Sequence, residues 1–121
     1  TFEWDAQSTW VEFPPFLKDV PAQPASLQDV HSARVLIVGG DSVNTEDISP
    51  VDAIPPNSPA GLYLQSLGVR KGEEDTFGTR RGKPGVMVRG AFTKPAFNNK
   101  FVPGGAKATP AFSIRLPRVL S

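Results

Sequence analysis

The sequence predicts a mostly β fold: a small sandwich or barrel of about 4–6 short strands, with extended Pro-rich termini, long loops and at most one short helix. Three observations predict it. First, 13 prolines and 11 glycines make up about a fifth of the 121 residues, against roughly 12% in average proteins. Proline breaks helices and is confined to the edges of sheets, so a chain punctuated this often is built of short elements. Second, apolar runs rich in β-branched residues stand between turn signals, as in "RVLIV" at 34–38 and "VMVRGAF" at 86–92. Third, the hydrophobic content of 39% is that of a folding chain rather than a disordered one.

The elements follow in order. "TFEWDAQSTWVEFPPFL" opens the chain with Phe2, Trp4, Trp10, Phe13, Phe16 and Leu17. Phe2 and Trp4 share one face by their period of two. Pro14 and Pro15 end any regular element there. Residues 1–26 read as an extended aromatic arm that either closes the core or docks on a neighbour. Pro21 and Pro24 favour polyproline-like extension. Arg34 to Val38 is the clearest strand, stopped by Gly39-Gly40-Asp41, and its lack of alternation predicts burial on both faces. A polar loop with Pro50, Pro55, Pro56 and Pro59 follows. "SPAGLYLQSLG" predicts the one helix, with Ser58 before it, Pro59 at its first position and Gly68 as its stop. "RKGEEDTFGTRRGKPG" reads as a charged, turn-rich loop, "VMVRGAF" as a second strand, and "AFSIRLPRVL" at 111–120 as a final strand.

Area scaling gives roughly 6,300 Å² exposed when folded against roughly 19,000 Å² unfolded, enough for one real core. The expectation is a single domain over 1–121. No apolar run approaches the ~20 residues of a membrane span, and no signal peptide is visible. Thr1 is a small residue of the kind left by removal of an initiator Met or a leader.

Charge is uneven. Residues 1–66 hold nine acids and two bases, whereas residues 76–121 hold nine bases and no acid, although the chain's net charge is only +1. Such asymmetry points to a polyanion, to complementary assembly, or to two halves that neutralise each other within one fold.

Most chemistry is excluded on motif grounds. There is no cysteine, which removes disulfides and thiolate metal sites from this chain. "GTRRGKPG" is not a phosphate-binding P-loop, because only three residues separate Gly78 from Gly82 and Pro84 follows Lys83. "VGGD" lacks the third glycine and the helix of a dinucleotide fold. His31 is the single histidine and stands in "LQDVHSA", without a nucleophile elbow. "EED" at 73–75 lacks the alternation and glycine of a calcium loop, and "TED" at 45–47 reads as a turn or helix cap. No cofactor is implied.

The basic row is the remaining signal. Arg80, Arg81, Lys83, Arg89, Lys94, Lys100 and Lys107 are interleaved with Phe92, Phe97 and Phe101. With Trp4 and Trp10 they are the expected partner-binding residues. The functional expectation is a non-enzymatic structural subunit of a large assembly: a virus or phage particle protein with a coat, decoration or tail role, placed in a virion or other large complex. Its partners would be other protein subunits, met through extended arms and complementary charge. The alternatives are a nucleic-acid-binding or ribosomal or organellar accessory protein using 80–107, and a carbohydrate-binding β module.

Overall fold

A computed structural model of the chain describes residues 3–35 and 37–100. Among these, the regular elements are a 3₁₀ turn at Pro15–Leu17 and three short helices, α1 (Thr45–Ile48), α2 (Pro59–Ser66) and α3 (Pro84–Met87). No helix is long and apolar enough to cross a membrane.

The helix expected after Ser58 forms for the expected reasons. Ser58 Oγ accepts the Gly61 N–H at 3.1 Å, satisfying one of the first-turn donors. Pro59 stands where a missing N–H costs nothing. Gly68 takes φ +92° beyond the end, and the Val69 N–H returns to the Leu64 carbonyl. The acidic "TED" run does cap: Asn44 Oδ1 accepts the Glu46 N–H, and Asp47 Oδ2 accepts the Asn44 N–H, both at 2.9 Å. This reciprocal box nucleates α1, and Pro50 follows directly after its last turn.

The β sandwich or barrel is not what forms. Among the described residues there is no strand, and one antiparallel bridge joins Ala53 to Thr76. The flanking bonds, Ile54 N–H to Asp75 O and Phe77 N–H to Asp52 O, make a pairing too short for a ladder. At 86–92 the predicted strand is instead the end of α3 and the turns after it. Pro84 supplies helical φ at the first position, and the Met87 and Val88 N–H groups bond four residues back. Local bonding here overrides the β preference of Val86 and Val88. Of the run expected as a strand at 34–38, Val38 is bonded to the 99–100 segment, its N–H donating to Asn99 Oδ1 and its carbonyl accepting the Lys100 N–H. Val35 is exposed rather than buried on both faces. Leu36, Phe2, Phe101, Lys107 and the predicted strand at 111–120 lie outside the described residues.

The core sits between α2, α3 and the bridged segments. Ile54, Ala60, Leu64, Phe77 and Val86 are buried together, with Tyr63, Val69 and Met87 against them. Two glycines permit the close approach. A Cβ at Gly61 would stand 2.6 Å from the Pro56 carbonyl oxygen, and one at Gly85 would stand 3.0 Å from the Tyr63 ring. Upstream, Phe16, Leu27, Val30 and Val35 are exposed, so the apolar burial lies downstream of α1.

Candidate anion-binding site

The charged loop 70–83 places two adjacent arginines in opposite environments. Arg80 is 1% exposed, while Arg81 faces solvent. Arg80 Nε donates to the Glu74 carbonyl at 3.1 Å, Nη2 to the Glu73 carbonyl at 3.3 Å, and Nη1 to Thr9 O and Oγ1 at 3.0 and 3.1 Å. Its guanidinium carbon lies 3.5 Å from the centroid of the Trp10 ring. Burial pulls its pKa below the ordinary arginine value, opposed by the nearby charges of Asp75 and Glu74. The carbonyl acceptors and the indole face thus solvate a buried cation without a carboxylate in direct contact.

Lys83 is the second buried cation. Its Nζ donates to Ser8 O at 2.9 Å and pairs with Glu12 Oε2 at 3.0 Å. Glu12 Oε1 also accepts the Gly85 N–H at 2.8 Å, and the Glu12 N–H donates to Gly82 O at 2.9 Å. Burial pushes the Glu12 carboxyl up, but the Gly85 N–H and Lys83 outweigh it and hold the group below its usual range. The same loop is braced from inside by Glu74, which accepts from Gln65 Nε2 and the Gly72 N–H, each at 2.8 Å.

Arg81 stands between these anchors. Its Nη1 donates to Ser49 Oγ at 3.0 Å, at the C-terminal end of α1. Among the described residues no carboxylate forms an ion pair with Arg81. A guanidinium carries five N–H donors in a planar fork. Among the described residues Arg81 therefore keeps most of its fork free beside a hydroxyl, a donor set that suits a carboxylate. In the first turn of α1, Glu46 Oε2 pairs with Lys94 Nζ at 2.7 Å, and the Phe92 N–H bonds to the Asp47 carbonyl. The hydrogen bond that Lys94 donates to Glu46 raises the Lys94 pKa despite partial burial, so that ammonium stays charged.

The expected partner-binding residues are thus not one surface. Arg80 and Lys83 are internal, and Lys83 and Lys94 pair with acids of the first half of the same chain. Arg89 lies 4.1 Å from the Tyr63 ring and donates to the Gly85 carbonyl. Lys100 is exposed, as is Trp4, and Trp10 is the platform for Arg80. Reasoning from the row of bases missed Ser49, Thr9 and Glu12. The sequence signal for Ser49 was its place after a capping box and before Pro50. Thr9 and Glu12 carried no local signal, since their partners lie more than seventy residues away.

Comparison with known proteins bears on the class. Over 104 residues the chain is 44% identical to aconitate hydratase A of Escherichia coli and to that of Salmonella typhimurium. It is 44% identical over 103 residues to aconitate hydratase A of Thermus thermophilus. The chain resembles part of a hydratase. The matched stretch is 86% of this chain but 12% of the E. coli and Salmonella proteins, and 85% and 11% in the Thermus case. The chain thus spans about an eighth of the length of these curated relatives. No protein-family profile matches it. These relatives overturn the expectation of a non-enzymatic virus or phage structural subunit, because they carry the name of an enzyme. The physical features that suggested assembly have another origin: two of the bases expected to meet neighbours pair with acids of this chain.

Proposed function

We propose that the chain is one segment of an aconitate hydratase-type enzyme, and that its contribution is to hold a substrate carboxylate at Arg81 and Ser49. The relatives' name describes addition of water to aconitate, an unsaturated tricarboxylate. An enzyme acting on such a molecule must offer cationic and hydroxyl donors to carboxylates that do not react. The observation that carries the reading is the exposed Arg81 guanidinium, 3.0 Å from Ser49 Oγ and free of any ion pair among the described residues. The flanking Arg80 and Lys83 are buried, so the turn that presents Arg81 is held on both sides.

On this reading the described residues bind and orient one end of the substrate. Hydration also needs a proton donor and an activated water, and these belong to the remaining length of the enzyme. The chain is then one domain with residues 1–26 as its arm, and its protein partner is the rest of that enzyme. Titration calorimetry with aconitate tests the reading. Binding is expected to be weak and saturable, to be abolished by Arg81→Gln and to be weakened by Ser49→Ala. Absence of binding, or equal binding by Arg81→Gln, would overturn it.

A further inference from the structure

The arm residues 8–12 are tied to the turn that carries Arg81 by an unusual density of bonds. Arg80 reaches Thr9 twice, Lys83 reaches Ser8 O and Glu12, and Glu12 bonds both the Gly82 carbonyl and the Gly85 N–H. The Trp10 ring covers Arg80. The fit is close at Gly82, where a Cβ would stand 3.0 Å from the Trp10 carbonyl oxygen and 3.3 Å from a Val11 methyl. These contacts bracket Arg81 on both sides, from residue 80 to residue 85, while the Arg81 side chain bonds instead to Ser49 Oγ.

We propose that residues 8–12 form a latch and that Glu12 is a positioning residue: by holding Lys83 and the Gly85 N–H, it fixes the 80–85 turn from which Arg81 reaches Ser49. The inference rests on the carboxylate-site reading given above. Without Glu12, Lys83 is a buried ammonium left with the Ser8 carbonyl, and the Gly85 N–H loses its acceptor. Both groups then seek water, and the turn between them opens. Arg81 retains its charge but loses its register with Ser49, so the fork and the hydroxyl no longer meet one carboxylate together.

The test uses the full chain and aconitate as the probe. Dissociation constants are measured by calorimetry for the parent, Glu12→Gln, Thr9→Val and Arg81→Gln, well below each variant's unfolding temperature. Hydrogen exchange at the Leu64 amide monitors the fold away from the latch. The expected result is several-fold weaker binding in Glu12→Gln and Thr9→Val with Leu64 protection unchanged. Faster exchange at Gly85 should accompany the loss in Glu12→Gln. A role confined to stability would lower the melting temperature and leave the dissociation constant of the folded protein as in the parent. Parent-like binding by the folded latch variants, with binding lost in Arg81→Gln, would overturn the latch and leave the carboxylate site standing. Parent-like binding by Arg81→Gln would instead remove the site itself, and the latch's role with it. If Glu12→Gln does not fold, Thr9→Val decides alone, since it removes one hydroxyl and keeps every charge.

Discussion

Leu27, Val30 and Val35 are as apolar as Ile54, Leu64 and Val86, yet the first three lie in solvent and the second three form the core. Composition does not separate the two regions; the available partners do. Downstream of α1, each short element closes on another within a few tens of residues: the 51–54 segment on 75–78, and α2 on α3. Upstream, Pro14, Pro15, Pro21 and Pro24 remove backbone donors, the regular element among the described residues is the 3₁₀ turn at Pro15–Leu17, and Leu27, Val30 and Val35 stay exposed. The exception is residues 8–12, which return to the core through polar bonds to Arg80, Lys83 and Gly85 rather than by apolar burial.

This contrast can be broken in graded steps. The largest effect is expected from Leu64→Ala. Leu64 is fully buried, and a Leu to Ala change in a core costs about 2–5 kcal/mol. With so few buried partners, denaturant melts should show 44–100 unfolding as a unit. Next comes Arg80→Met, which strands the carbonyls of Thr9, Glu73 and Glu74; the expected cost is about 2–3 kcal/mol, with a change in Trp10 fluorescence as the arm detaches. Ser58→Ala removes the α2 cap and should cost about 1 kcal/mol by the same melts.

Acidification sharpens the comparison at the latch. The Glu12 carboxyl is held below its usual value of 4.5 in the folded chain. Its contribution is therefore fully present above that value and is lost as pH falls through the lower folded value. Trp10 fluorescence followed against pH should report detachment in that acid window, and Glu12→Gln should flatten the curve. The smallest effect is expected from Leu27→Ser. Leu27 is wholly exposed, so its melt should stay within about 0.5 kcal/mol of the parent.

Legibility in the sequence followed the range of the forces involved. The boundaries of α2 were readable because Ser58, Pro59 and Gly68 act on their own neighbours. At 45–47 the sequence showed a turn or helix cap, but not the capping residue Asn44 nor the helix α1 that it starts. The β fold was a misreading of Val86 and Val88, whose preference for strands yields to the helical turn started by Pro84. The site was half readable. The basic row contained Arg81, but nothing local separates it from Arg80. Which of the two is buried is decided by Thr9 and Trp10, brought in from the other end of the described chain. The charge asymmetry likewise had a partly internal destination, since Glu12 and Glu46 of the acidic half meet Lys83 and Lys94 of the basic half.

The most direct test of the account is an amide chemical-shift map of the full chain titrated with aconitate. It reads the extended segment, the latch and the core in one experiment. The account predicts saturable shifts at Ser49 and at residues 80–82, smaller ones through Gly85 and Glu12, and none at residues 20–35. Shifts absent from Ser49 and Arg81, or concentrated in residues 20–35, would contradict it.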